Sequence, residues 1–374
     1  MRRRDVLMGV AALGVAAFGT TVFVACRDRA APPDRGKIIA DLAQIVIVPT
    51  YTDAAADAKA LESALDALRA APTAESLESA RAAWKKARRT WKTADAFLFG
   101  PADDLAVTGG VIDTAADIGK VEALVVGASP LDASTVGQLG ANVRGFGGIE
   151  VLLFDPAKDD AAMLATFEAE GGRRGTLAAL LGADLRAKIY DVRAAWADPP
   201  TNHANELSRA GRGSSVYVSE RQGVDAVVNA LIAAAEVIIA VRLAKPLGID
   251  KSPAVPVPEL VESPRSDASI DDVLAVLEGI EAVYFGQRGG VQGLPLADAV
   301  AERSPSADAH LRSNLENAKA TVQAIVGPLR TAVVERRDSV IAAHAAVREV
   351  KRSLLSEVAG ALGTSVGFSV TDGD

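Results

Sequence analysis

The 374-residue sequence contains one cysteine, Cys26, and only three histidines, which are widely separated. A single thiol excludes a disulfide framework and a thiolate metal site, and its place near the N-terminus excludes a cysteine nucleophile in the mature chain. His-Glu-x-x-His, Gly-x-Ser-x-Gly and the phosphate-binding glycine-rich loop followed by Lys-Ser or Lys-Thr are also absent. The sequence therefore offers none of these standard catalytic motifs.

Two further absences restrict the class of protein. The net charge is −8, and no dense basic stripe stands out to neutralise phosphates, which argues against a nucleic-acid-binding protein. No segment alternates apolar and polar residues for long enough to form a sheet. Abundant alanine, with Leu, Val and Ile recurring among charged residues, predicts an all-α fold.

The first 25 residues have the pattern of an export signal. Arg2-Arg3-Arg4 precedes an apolar run, and small residues lead to Cys26, as in a twin-arginine-like signal peptide (1–25) with a lipobox ending at Cys26. Residues 26–35 would form a tether, with the membrane bound through lipid on Cys26. This predicts an exported protein, a periplasmic or cell-surface lipoprotein of a bacterium. An uncleaved membrane-spanning anchor is the alternative.

Helical periodicity covers most of the remaining chain. We predict a first helix ended near Pro49, a second over 53–71 and a third after Thr73. The third has large apolar residues every seven positions, and we interpret its basic residues as a solvated surface, with an anion site as the alternative. The apolar residues are Leu77, Trp84, Trp91 and Leu98, and the basic ones are Lys85, Lys86, Arg88, Arg89 and Lys92.

A proline-rich segment over 246–265 is the predicted boundary between two four-helix-bundle-like domains. The N-terminal bundle would cover 36–245 and the C-terminal bundle 266–374. Similar openings and endings of the helices near 76–100 and 269–286 point to an internal duplication. Two related bundles would place a pocket between them.

Glu150 is the candidate at the centre of that site. It lies in the stretch 144–154 before an apolar run, where a buried carboxylate needs a partner. Asp113 or Glu262 would complete an oxygen-rich site for a hard cation such as iron or calcium. Arg144 or Arg265 would instead form a structural ion pair with Glu150. Ser263 and Ser266 are further candidates, at the entry to the second bundle.

The order of several short motifs resembles the imelysin family. They are Trp84 and Trp91 before Phe99-Gly100-Pro101, Ile112-Asp113-Thr114, Arg144-Gly145-Phe146-x-x-Ile149-Glu150, Lys245-Pro246-Leu247-Gly248, Glu262-Ser263-Pro264-Arg265-Ser266 and Leu362-Gly363-x-x-Val366-x-Phe368 with Asp372-Gly373-Asp374. The resemblance implies a pair of helical bundles, an extracytoplasmic location, and a role in iron uptake or metallopeptidase activity. It also implies a Gly-x-His-x-x-Glu motif, in which Gly147 stands at the position of the histidine.

The missing imidazole shapes the functional expectation. Histidine and glutamate three residues apart on a helix could share one metal ion, whereas a glycine cannot bind one. We therefore expect a lipoprotein that binds a ligand or a metal ion, with iron-uptake components as partners, and that is not an active peptidase. The alternatives are a metal-dependent peptidase of this family, and a structural or partner-binding surface lipoprotein whose site has decayed.

Overall fold

A computed structural model of the chain describes residues 33–105 and 110–367. Its first two helices, α1 (Arg35–Asp41) and α2 (Val48–Ala70), are joined without a break by a π-helical turn over Leu42–Ile47. The prediction that a helix ends near Pro49 is therefore wrong. A π turn is wider than an α turn, so the helix can fit the ring of Pro49. The same turn accommodates the backbone hydrogen bond that proline cannot donate.

The other helices follow in chain order, and short 3₁₀ and π turns extend several of them. They are α3 (Ala74–Ala94), α4 (Pro101–Asp104), α5 (Ile118–Val126), α6 (Ala133–Gly137), α7 (Gly145–Leu153), α8 (Asp160–Glu168), α9 (Arg173–Ala197), α10 (His203–Ser208), α11 (Glu220–Val237), α12 (Lys245–Leu247), α13 (Ser269–Phe285), α14 (Leu296–Arg303), α15 (Pro305–Gln323), α16 (Leu329–Glu335), α17 (Arg337–Arg352) and α18 (Ala359–Leu362). Strands β1 (Gln287–Arg288) and β2 (Val291–Gln292) form one antiparallel hairpin. The all-α prediction is confirmed.

Helix α3 is the element that positions the site. It begins as predicted at Thr73, whose side chain accepts a hydrogen bond from the amide of Ser76 in a capping box. The apolar stripe of α3 is buried, and the indole N–H of Trp84 donates to the carbonyl of Phe146 at 3.0 Å. This bond fixes α7 against α3.

Two groups of helices meet along α3. In the first, α2 packs against α3 and α9, and α7 packs against α9 and α3. In the second, α13 packs against α15, and α15 against α17. Helix α13 also lies along α3. Helix α11 contacts α13, α17 and the C-terminal end of α3, although the predicted boundary assigned α11 to the first bundle. Residues from Pro33 onward form one compact unit, so the two-domain division and the duplication stay predictions.

Two continuous helices, Arg35–Ala70 and Glu220–Leu247, are long and apolar enough to cross a membrane. In the apolar 18-residue stretch of each helix, 50% and 56% of the residues are buried within the protein, as in core helices of a folded domain. The predicted signal peptide, Cys26 and most of the tether lie outside the described residues.

Candidate functional site

A cluster of opposite charges is buried where α3 meets α13 and α11. We call it the charged layer, and its members are Arg88, Lys92, Asp95, Asp113, Arg242, Glu262 and Asp272. Arg88 and Lys92 are one turn apart on α3 and are 3% and 1% exposed. Our interpretation of these two residues as a solvated surface is therefore wrong.

Arg88 links three parts of the chain. Its guanidinium lies 2.8 Å from Asp113, 2.9 Å from Asp272 on α13 and 3.3 Å from Glu262. It also lies over the rings of Trp84 and Phe146, which cover it with apolar surface. A charge this deeply buried is tolerated because several carboxylates surround it.

Lys92 and Arg242 complete the layer on the side of α11. Lys92 pairs with Asp113, with Glu262 at 2.5 Å and with Asp95 at 3.4 Å. Arg242 lies in the π-helical turn Ile238–Ala244 and pairs with Asp95, and with Glu262 at 2.6 Å. π turns inside long helices often mark functional sites, and this one places its arginine beside Glu262.

The acidic groups of the layer respond differently to burial. Burial alone would raise the pKa of Asp113 and Glu262, but the facing cations outweigh it and hold both pKa values below their ordinary range. For Asp272, burial outweighs the charge of Arg88 and raises the pKa to about 6. Of these three carboxylates, Asp272 thus takes up a proton most readily.

Glu150 lies beside the layer on α7 and is bound by a turn of the chain. Its Oε1 accepts hydrogen bonds from the amides of Arg265 and Ser266, at 3.1 and 2.9 Å, and from the Ser266 hydroxyl at 2.7 Å. Ser263 and Asp267 have positive φ angles of 52° and 57° in the same turn. Turns of this kind can direct several N–H groups at one anion, and here that anion is Glu150. Burial raises its pKa, while the Ser266 hydrogen bond and Arg88 oppose the shift.

The ion pair predicted between Glu150 and an arginine does not form. Arg144 instead pairs with Asp184 at 2.5 Å. The guanidinium of Arg265 donates to the Phe154 carbonyl at 2.7 Å and pairs with Asp155 at 3.1 Å. Arg265 therefore contributes its backbone amide to Glu150, and its side chain attaches the turn to the end of α7.

Two glycines let the segment 111–116 lie against the start of α7. Gly145 has a φ of +61°, and a Cβ there would lie 2.3 Å from the carbonyl oxygens of Val111 and Ile112. At Gly147 a Cβ would lie 2.5 Å from the carbonyl oxygen of Thr114 and 3.1 Å from the amide nitrogen of Ala116. The space that a side chain at 147 would need is thus filled by backbone.

The three predicted metal ligands line one small cavity of about 130 Å³. Asp113, Glu150 and Glu262 are therefore brought together, as expected, and Gly147, Ser263 and Arg265 line the same cavity. However, Asp113 and Glu262 already face Arg88 and Lys92, and an oxygen of Glu150 accepts three hydrogen bonds. Within residues 33–105 and 110–367, no group of three or more His, Cys, Asp or Glu residues is placed to hold a metal ion. Iron and calcium need several oxygen ligands that converge on one point, and this arrangement does not supply them.

A larger cavity of about 470 Å³ lies on the other side of Asp113 and Glu262. Lys92, Asp95 and Arg242 also line it, and its opposite wall is formed by α11. It falls in the size range of small-molecule sites, which the 130 Å³ cavity does not reach.

Sequence reasoning missed Arg88, Lys92, Arg242 and Asp272. Helical spacing contained a signal for Arg88, because it follows Trp84 by four residues and precedes Trp91 by three, which places it on the buried face of α3. Arg242 likewise follows the buried Ile238 by four residues. Charged residues at such positions need buried partners, and that requirement points to the acidic residues of the layer.

Comparisons with known proteins agree with this fold. The family model described as imelysin matches residues 47–356. The iron-regulated protein A of Synechococcus elongatus is 28% identical over 364 residues, which are 95% of this chain and 93% of that protein.

Two crystal structures share the fold. An iron-regulated protein A precursor from Parabacteroides distasonis superposes with a TM-score of 0.74 at 20% identity, over 89% of this chain and 96% of the other. An imelysin-like protein from Psychrobacter arcticum gives a TM-score of 0.70 at 17% identity, over 91% of this chain and 100% of the other.

Proposed function

Because the chain belongs to the imelysin family, we propose that it is an exported protein of an iron-related system that acts by binding and not by hydrolysis. The iron-related part rests on the relative named iron-regulated protein A, which aligns over nearly the whole of both chains. The export signal and the lipid on Cys26 are part of the proposal, since those residues lie outside the described ranges.

One observation carries the choice of binding over hydrolysis: the backbone at Thr114 and Ala116 fills the space beside Gly147. A metallopeptidase needs a metal ion with an open coordination position, or a base that can reach a water molecule. Position 147 supplies no ligand, and Glu150 is engaged with the turn at Arg265 and Ser266. The motif glutamate thus attaches the second group of helices to α7.

The test is a peptidase assay on the purified protein, with a mixed peptide library and with casein, with and without a chelator. We expect no cleavage above the background of a Glu150→Gln variant. Cleavage by the wild type that is lost both with the chelator and in the variant would show that the protein is a metallopeptidase.

The iron-related role has its own test. We expect expression of the protein to change when the producing bacterium is limited for iron, and we expect a deletion strain to grow more slowly only under that condition. Equal growth and unchanged expression would remove the iron-related part. Replacing Cys26 with Ser should release the protein from the membrane fraction, whereas retention would favour a spanning anchor.

A further inference from the structure

The 470 Å³ cavity between α3 and α11 has two walls of opposite character. Small and branched apolar side chains of α11 and of the π turn after it form one wall, and Trp91 and Leu98 extend it. The residues on the α11 side are Ala230, Ala233, Ala234, Val237 and Val241. Val237 and Val241 are 40% and 42% exposed, so this wall could bury further apolar surface if a ligand covered it.

The opposite wall is the charged layer, and it presents carboxylates to the cavity. The side chains of Glu262, Asp113 and Asp95 are 27%, 15% and 10% exposed, whereas those of Lys92 and Arg242 are 2% and 5% exposed. Both cations turn their donors into the layer. Even the Nη1 of Arg242, which has no hydrogen-bond partner among the described residues, is shielded from solvent. A molecule in the cavity would therefore meet hydrogen-bond acceptors.

The charge balance points the same way. The layer contains three cations, Arg88, Lys92 and Arg242, and four carboxylates, Asp95, Asp113, Glu262 and Asp272. One negative charge is left without a cation of the layer to balance it. An added cation would relieve this excess, whereas an added anion would increase it.

We propose that this cavity binds a small organic amine, with its ammonium group on the carboxylates of Asp95, Asp113 and Glu262 and its apolar body against α11. An ammonium group supplies three hydrogen-bond donors, which suits a wall of accepting oxygens. The apolar wall selects amines with a hydrocarbon or aromatic body over ammonium or a metal ion, because only such a body buries surface against Val237 and Val241. The proposal rests on the binding role proposed above and names its ligand class.

The experiment compares two probes of similar shape and opposite charge, 2-phenylethylamine and 3-phenylpropionate, by isothermal titration calorimetry on the full chain. We expect the amine to bind at least about tenfold more tightly than the acid, which corresponds to about 1.4 kcal/mol of binding free energy. Equal binding of the two probes, tighter binding of the acid, or no binding of the amine at millimolar concentration would overturn the proposal.

Two variants, each with tryptophan in place of an exposed alanine, locate the binding site. Ala233 is exposed and lines the cavity, so Ala233→Trp should fill its mouth and weaken amine binding about tenfold or more. Ala342 is also exposed, on α17, and lines none of the described cavities, so Ala342→Trp should bind like the wild type. Thermal unfolding checks that both variants fold. Unchanged binding in Ala233→Trp, or equal losses in both variants, would place the amine elsewhere and refute the assignment.

Failure of this proposal can be separated from failure of the proposed function. A protein that binds no amine but has no peptidase activity and responds to iron limitation would lose only the cavity assignment. A protein that binds the amine and also cleaves peptides would keep the cavity and lose the non-hydrolytic role.

Discussion

Replacing Arg88 with Met should destabilise the protein strongly, because this side chain connects α3, the segment at Asp113 and α13. Methionine keeps an unbranched apolar side chain and removes the guanidinium, which lies over Trp84 and Phe146. The neighbouring Arg89 is the matched control. Its side chain is 44% exposed and pairs with Glu278, itself 42% exposed, at 2.7 Å.

The expected cost follows from the burial of the groups left behind. Asp272 is 1% exposed. Without Arg88, the hydrogen bond that its carboxylate keeps among the described residues is the one from the Ser263 hydroxyl at 2.7 Å, so its charge loses its cation. Breaking a buried ion pair by removing one partner costs about 3–5 kcal/mol of folding stability. An exposed pair such as Arg89 with Glu278 contributes about 1 kcal/mol or less. Two adjacent arginines of one helix should therefore differ by about 2–4 kcal/mol.

The pH dependence of this cost identifies Asp272 as its origin. Burial raises the pKa of Asp272 from 3.8 to about 6. The stability that this raised pKa contributes is therefore full below pH 3.8 and is lost as the pH rises through about 6. In Arg88→Met the protonated form of Asp272 needs no cation. We therefore expect the cost to be smaller at about pH 5 than at about pH 8, by about 1 kcal/mol or more.

Urea unfolding followed by circular dichroism at both pH values measures these differences. The Arg88→Met/Asp272→Asn double variant should recover part of the loss at about pH 8, since it removes the unpaired charge. A cost below about 1 kcal/mol for Arg88→Met, or one equal to that of Arg89→Met, would refute the reasoning that Arg88 holds the layer together.

Three further predictions follow from the structure. Gly147→Ala should lower the free energy of unfolding by about 1–2 kcal/mol, because its Cβ would lie 2.5 Å from the Thr114 carbonyl and this overpacking outweighs the gain in helix propensity. Gly360→Ala, in the open part of α18, should raise it by about 0.5–1 kcal/mol, and equal effects in urea unfolding would contradict the close approach at Gly147. Glu150→Gln should remove a pH-dependent part of stability. Because burial raises the folded-state pKa above 4.5, that part is full below 4.5 and is lost as the pH rises, and the same pH profile in variant and wild type would show that the Glu150 pKa is not raised. Titration of the wild type with ferric or calcium ions should give no heat above dilution, and uptake that disappears in Glu150→Gln would show that the three carboxylates do hold a metal.

Helix identity could be predicted from the sequence, but helix continuity could not. The start of α3 was predictable because Thr73 and Ser76 cap it through local side-chain bonds. The helix continues through Pro49 because of the π turn before it. Packing stabilises that turn, and no local sequence pattern predicts it. The reverse happened near 336: the sequence pattern predicts one helix over 329–361, whereas the structure divides this stretch into α16, α17 and the turns after them.

In the site, too, some features could be predicted from residue types, whereas the contacts made by the backbone could not. Glu150, Asp113, Glu262, Ser263 and Ser266 were predictable as one neighbourhood, because a buried carboxylate needs partners and polar residues stood at the entry to the second group of helices. The partners that Glu150 has are two backbone amides and a hydroxyl, and amides exist at nearly every position, so no residue type marks them. Arg88 and Lys92 neutralise Asp113 and Glu262. Both belong to a run of basic residues on α3, and such a run is normally assigned to the solvent-exposed surface of a helix. A rule that places each basic residue relative to the nearest buried tryptophan would have assigned Arg88 to the core. It would also have predicted that the carboxylates around it form ion pairs before they could bind a metal ion.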